Sequence, residues 1–212
     1  MQQSLIAGVS LREVLGSQSI FRIYQNRFLE RFGPTLEGDL IEIGSDPARV
    51  YERFFPKATS FIHSNVTGLT QEWDVTSLPF DDSTQDGFVC ISVIEHVAEA
   101  RRGLAELHRT LRPGGTLLLS VPFMFPIHDD YDYWRPSRDG LLDLFSDYEI
   151  THLVHLGGKF STVCNFLQRP VGKWRGARDR ASKGIAVLLA LLARFDQLDD
   201  SPLGFGVRAV KR

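Results

Sequence analysis

Residues 74–122 read DVTSLPFDDSTQDGFVCISVIEHVAEARRGLAELHRTLRPGGTLLLSVP, and the fold follows from the order of patterns inside them. Gly87 to Ser92 and Thr116 to Val121 are short, almost wholly apolar runs, as strands buried on both faces of a parallel sheet require. Between them Ala100, Leu104, Leu107 and Leu111 recur at helical spacing on one face, while Arg101, Arg102, Glu106 and Arg109 take the other. Pro113, Gly114 and Gly115 then stop the helix. Strand, helix and strand in this order predict a right-handed crossover.

The chain around this unit has 212 residues, 43% of them hydrophobic and 24% charged, which fits one domain over 1–212 with a sizeable core. A formal charge of -2 gives no general electrostatic reason to bind nucleic acid. The only cysteines are Cys90 and Cys164, and no Cys/His spacing predicts a structural zinc site. With no charged, apolar leader pattern at the start, the expectation is a reduced, cytoplasmic setting.

In the N-terminal part, a helical cap over 1–34, Phe21, Tyr24, Phe28 and Phe32 share one helical face until Gly33 and Pro34 end the pattern. Asp39 to Gly44 reads as the first and central strand, turning through Ser45, Asp46 and Pro47 into a helix that carries Val50, Tyr51 and Phe54. Thr59 to His63 is the next strand. Leu141, Leu142, Leu144 and Phe145 belong to a helix, Tyr148 to Leu156 is a further strand, and Gly204 to Val210 is the last. A helical insertion over about 157–203 separates those two strands. Within 169–195, Arg169, Lys173, Arg175, Arg178, Arg180 and Lys183 precede Ile185 to Ala193, an apolar run too short to span a bilayer. A lid, a self contact and a membrane-surface element all fit that pattern; a buried helix with a solvated approach fits it as well.

The order DVTSLPFDDSTQDGFVCISVIEHV and then ELHRTLRPGGTLLLSVPF closely resembles the class I S-adenosylmethionine-dependent methyltransferases, in their small-molecule, type 11-like branch. The resemblance implies an α/β fold, doubly wound and Rossmann-like, with a mostly parallel seven-stranded sheet whose last strand is antiparallel. It also implies S-adenosyl-L-methionine as cofactor. Glu42 and Gly44 match the loop after the first strand, although Ser45 and Asp46 stand where another glycine is common. At the end of the second strand the family places an acidic residue for the ribose hydroxyls; this chain offers Asn65, which serves either as that acceptor or only as a turn former. Asp74 and Val75 match the adenine-recognising pair. Ser92, Val93 and His96 follow a parallel strand at its carboxyl end, where α/β sheets form their ligand crevice.

After the fifth strand of the family pattern comes PFMFPIHDDYDYWR, residues 122–135, resembling a loop found in methyltransferases of sugar, surface-polysaccharide and natural-product pathways. Methyl transfer to a hydroxyl needs a positioned base, and His128, with an ordinary pKa of about 6.5, suits that role. Asp132 would orient it, Arg135 would bind a hydroxyl-rich or anionic acceptor, and Tyr133 would form an aromatic wall with Trp134. The alternative is a loop anchored by its aromatics, with Arg135 paired to Asp132. His128, Asp129, Asp130 and Asp132 are adjacent polar residues rather than a convergent ligand set, so no metal is expected. The resulting expectation is methyl transfer from S-adenosylmethionine to a small-molecule acceptor, at oxygen, on a glycosyl or natural-product substrate. An inactive, methyltransferase-like binding or scaffold protein is the alternative that GSDP and Asn65 suggest.

Overall fold

The computed structural model describes residues 2–5, 9–14, 18–45, 51–66, 71–168, 184, 188, 192 and 200–212. Its strands are β1 (Gln2–Leu5), β2 (Gly38–Ile43), β3 (Ala58–Ser64), β4 (Gln85–Ile91), β5 (Leu111–Pro122), β6 (Tyr148–Leu156) and β7 (Gly204–Lys211). They form one seven-stranded sheet in the order β1-β6-β7-β5-β4-β2-β3. Every pairing is parallel except those of β7, which runs antiparallel between β5 and β6. The doubly wound, mostly parallel sheet with a reversed last strand is therefore present.

Two details differ from the sequence expectation. The first strand of the chain is Gln2–Leu5, which pairs with β6 at one edge, so β2 is neither first nor central; the middle position belongs to β5. The helix expected to carry Val50, Tyr51 and Phe54 is, within the described residues, one short 3-10 turn at Glu52–Phe54.

The helices are α1 (Leu11–Val14), α2 (Ile20–Phe32), α3 (Ala100–Thr110), α4 (Arg138–Leu144) and α5 (Lys159–Gln168). Side chains alternate across each strand, so β4 sends Phe88 and Cys90 into one apolar cluster and Val89 and Ile91 into the other. The first cluster includes Ala100, Leu104 and Leu107 of α3, as their spacing predicts. The second takes the aromatic stripe of α2, with Tyr24 and Phe28 wholly buried and the Tyr24 hydroxyl 2.7 Å from Ser161 Oγ on α5. Ser19 begins α2 by accepting the Arg22 amide at 3.2 Å. Phe28 lies so close to β7 that a side chain at Gly206 would collide with its ring. Both cysteines are buried and unbridged. Among the described residues no helix is long and apolar enough to cross a membrane. The basic and apolar segment 169–195 lies outside the described residues, apart from Gly184, Leu188 and Leu192.

Candidate active site

Parallel strands deliver their carboxyl ends to one edge, and the chain reverses there after β2 and β4. A cavity of about 430 Å³ opens at that edge, within the range of roughly 300–1,000 Å³ usual for small-molecule sites. Gly44, Asn65, Asp74, Val75, Ser92, Val93 and His96 line it together with Trp73, Thr76 and Val97. Seven residues singled out in the sequence thus converge on one crevice from four separate stretches of chain.

Gly44 turns the chain out of β2 with φ +75°, and a Cβ there would come within 2.3 Å of Val93 Cγ2. Only glycine fits both the left-handed backbone and the close approach. Glu42 does not line the cavity. Its buried carboxylate lies beneath the turn, with Oε2 2.8 Å from His63 Nδ1, and that same nitrogen is 3.2 Å from Ser45 Oγ. Burial raises the Glu42 pKa against the opposing pull of His63. Ser45 is buried and donates its amide to Ser64 O at 2.8 Å, which holds the β2 turn against β3. Asp46 lies outside the described residues.

The Asn65 side chain is engaged with backbone: Nδ2 donates to Ser45 O at 3.0 Å and Oδ1 accepts the Val66 amide at 2.8 Å. Asp74 is exposed at the rim, where Oδ1 accepts from the Thr76 amide and hydroxyl at 2.8 and 2.9 Å. Ser92 adopts the left-handed region, φ 56°, uncommon for a side chain with a Cβ. Its amide donates to Ser120 O at 2.9 Å, and its hydroxyl accepts from Gln25 Nε2 at 2.6 Å. The same Gln25 nitrogen donates to Ser120 Oγ at 2.9 Å, so one wholly buried amide from α2 braces the ends of both β4 and β5.

Glu95 is fully buried, and among the described residues neither carboxyl oxygen makes a hydrogen bond of ordinary geometry. Burial pushes its pKa up to about 8, although the Ser92 hydroxyl and its own amide lie close enough to act in the other direction. Its backbone carbonyl accepts the Tyr133 amide at 2.7 Å, and Trp134 Nε1 donates to Val97 O at 2.8 Å. These bonds tie the loop after β5 to the turn after β4. Within the loop, Arg135 grips both oxygens of Asp132, whose side chain is 2% exposed. Burial would raise the Asp132 pKa, but the Arg135 bonds prevail and lower it. Asp132 Oδ2 accepts the His128 amide at 3.0 Å and lies 3.3 Å from His128 Nδ1. The Arg135 guanidinium is thus directed at Asp132. The Tyr133 ring is half exposed and stacks on Tyr131, with centroids 6.2 Å apart.

Sequence reasoning did not single out Gln25 or Glu95. Gln25 stands four residues after Phe21 and three before Phe28, a polar residue on an otherwise apolar stripe, and that interruption was the available signal. Glu95 carries no such signal, because a glutamate in a polar turn ordinarily faces solvent.

A doubly wound sheet with a reversed seventh strand and a crevice at its carboxyl edge is the Rossmann-like architecture of the class I S-adenosylmethionine-dependent methyltransferases. Residues 53–119 match the model of the type 11 methyltransferase domain. Over 77 residues it is 36% identical to a demethylmenaquinone methyltransferase from Clavibacter sepedonicus, a match covering 34% of this chain and 31% of that protein. It is 25% identical over 202 residues to the ubiquinone/menaquinone biosynthesis C-methyltransferase UbiE of Roseobacter denitrificans, covering 81% of this chain and 80% of the relative. Among solved structures, geranyl diphosphate C-methyltransferase from Streptomyces coelicolor A3(2), in complex with Mg2+, geranyl diphosphate and S-adenosyl-L-homocysteine, superposes with a TM-score of 0.60 at 12% identity. That superposition covers 90% of this chain and 81% of the other. S-adenosylmethionine is the cofactor of the family.

Proposed function

We propose that this chain transfers a methyl group from S-adenosylmethionine to a hydroxyl oxygen of a small-molecule acceptor of the glycosyl or natural-product class. The observation that carries the reading is the joining of two features at one edge: the crevice of Gly44, Asp74, Val75 and Ser92, and a histidine-bearing loop fastened beside it.

The residues present fit the cofactor. The glycine turn lets backbone approach closely, Asp74 offers a rim carboxylate to an adenine amine, and Val75 supplies the neighbouring backbone amide. Asn65 Oδ1 already accepts one amide and retains a second lone pair for a ribose hydroxyl. When bound, the cofactor supplies an electrophilic methyl: the oxygen–carbon bond forms as the sulfonium–carbon bond breaks. The chain's own task is then to position the hydroxyl and take its proton. His128 suits the second task, because burial lowers its pKa and keeps the imidazole neutral at pH 7. Asp132, held by Arg135, sets the ring. The exposed rings of Tyr131, Tyr133 and Trp134 offer flat apolar faces of the kind that sugar rings stack on.

Isothermal titration with S-adenosylmethionine and S-adenosylhomocysteine, followed by acceptor screening with the radiolabelled cofactor, tests the reading. Saturable binding and label transfer to hydroxylated acceptors are expected. Binding without transfer to any hydroxyl would remove the oxygen acceptor, and no binding of either ligand would leave the scaffold alternative.

A further inference from the structure

The imidazoles of His96 and His128 and the carboxylate of Glu95 bring one ligand atom each within 4.8 Å of one another. His96 Nδ1 is against Tyr131 O, and because a carbonyl can only accept, that nitrogen carries the proton. Its Nε2 therefore presents a lone pair. His128 Nδ1 lies between Asp132 Oδ2 at 3.3 Å and Arg135 Nη2 at 3.4 Å. The two protons of Arg135 Nη2 have acceptors in Asp132 Oδ2 and Pro126 O, so His128 Nδ1 keeps its own proton toward the carboxylate. Nε2 of His128 is then a lone pair as well. Ring nitrogens fixed in this way by a carbonyl and a carboxylate are the usual support of metal-bound histidines.

The third group gives the independent reason to place a ligand here. Glu95 is 0% exposed, and among the described residues neither of its oxygens closes a hydrogen bond. A buried carboxyl whose oxygens lack hydrogen-bond partners is costly, and its charged form calls for a cation to compensate it. Glu95 Oε1 lies 3.9 Å from His96 Nε2, and Asp129 Oδ2 lies 3.7 Å from Nε2 of both histidines. Donors around a tetrahedral ion at roughly 2.0–2.1 Å stand about 3.4 Å apart, so the pairs at 3.7–3.9 Å are near that spacing and the widest pair, within 4.8 Å, closes by rotation of the loop side chains.

We propose that Glu95, His96 and His128 bind a first-row divalent metal ion such as Zn2+ or Co2+, with Asp129 available as a fourth ligand. Two imidazoles and a carboxylate select such an ion over the all-oxygen preference of Mg2+ and Ca2+. His96 also lines the crevice, so the ion would stand at its rim, with open positions for an oxygen donor of the acceptor. That last extension rests on the methyl-transfer reading, whereas ion binding does not. In the ion-loaded protein Nε2 of His128 is a ligand; proton removal by that atom belongs to the ion-free form.

The test uses untagged protein stripped with a chelator, titrated with Zn2+ by calorimetry and with Co2+ by visible absorption. One ion per chain is expected, at micromolar Kd or tighter, with Co2+ bands characteristic of nitrogen and oxygen ligands. His96→Ala and His128→Ala should each weaken binding tenfold or more, and His108→Ala, on α3, should leave it unchanged. Glu95→Gln adds a third comparison if it folds, and the histidine variants decide the question if it does not. Absence of saturable binding, or equal affinity in the parent and both histidine variants, would overturn the proposal. These outcomes are separable from failure to bind S-adenosylmethionine, which is measured on the same samples without metal.

Discussion

The rings of His96 and His128 meet edge to face, with centroids 4.9 Å apart and planes at 76°. One ring follows β4 and the other sits in the loop after β5, so the contact joins the crevice to the loop of residues 122–135. Phe125 packs on the far side of His128 in the same edge-to-face manner, at 5.3 Å. The Trp134 and Tyr133 bonds to the chain after β4 hold this arrangement from outside the crevice. Trp134→Phe keeps the ring but removes the Nε1 bond to Val97 O. It should cost about 1 kcal/mol in stability and raise the KM for acceptor more than it lowers kcat. Equal KM in variant and parent would show that the loop is held by other contacts.

Gly44→Ala tests the turn. The added methyl meets Val93 Cγ2 and the residue must keep φ +75°, so strain and collision act together. A stability loss of about 1–3 kcal/mol is expected, with cofactor affinity reduced at least tenfold. Denaturant melts and calorimetry read the two effects separately.

Asp74→Ala should act on affinity with little effect on the fold, since Asp74 is exposed and its side-chain bonds among the described residues reach only Thr76. Calorimetry with S-adenosylhomocysteine should show a loss of about tenfold or more, of the size expected when a charge-assisted hydrogen bond to an amine is removed. Unchanged affinity would remove Asp74 from the adenine site.

Much of this architecture could be read in the chain because β4, α3 and β5 have strong and unambiguous periods. The β1 strand could not: QQSL has no apolar run, and its place is fixed only by pairing with β6. Ser92, Val93 and His96 were legible because they follow a strand end, which a parallel sheet gathers at one edge, whereas Gly44, Asn65, Asp74 and Val75 were legible only through the family resemblance. Glu95 was hidden for the opposite reason. The Tyr133 amide of a loop some forty residues later in the chain bonds the Glu95 backbone carbonyl, and no local pattern records that contact.

Glu42 makes stability depend on pH. Burial raises its pKa above the ordinary value of 4.5, so the folded chain holds a proton there that the unfolded chain has released. Stability should therefore fall as pH rises from about 4.5 through the raised value, at up to about 1.4 kcal/mol per pH unit for this one group. Glu42→Gln should flatten that slope. Urea midpoints of parent and variant across this window give the comparison, and parallel slopes would assign the dependence to other groups.

His128 decides whether the loop performs chemistry or only shapes the acceptor site. In ion-free protein with an identified acceptor, His128→Ala should lower kcat by roughly 100-fold or more, the contribution usual for a general base. Cofactor affinity should barely change, since the proposed cofactor contacts at Gly44, Asp74 and Ser92 are left intact. The pH profile supplies a second readout: burial lowers the His128 pKa below 6.5, so the parent rate should climb through a limb below that pH and level off by neutrality. Asp132→Asn removes the charge that sets the ring while leaving the imidazole, so it should lower kcat less and shift that limb further toward acid. If His128→Ala instead raises KM and regains the parent kcat at saturating acceptor, His128 is a positioning residue. The rate then arises from alignment of the hydroxyl with the transferred methyl.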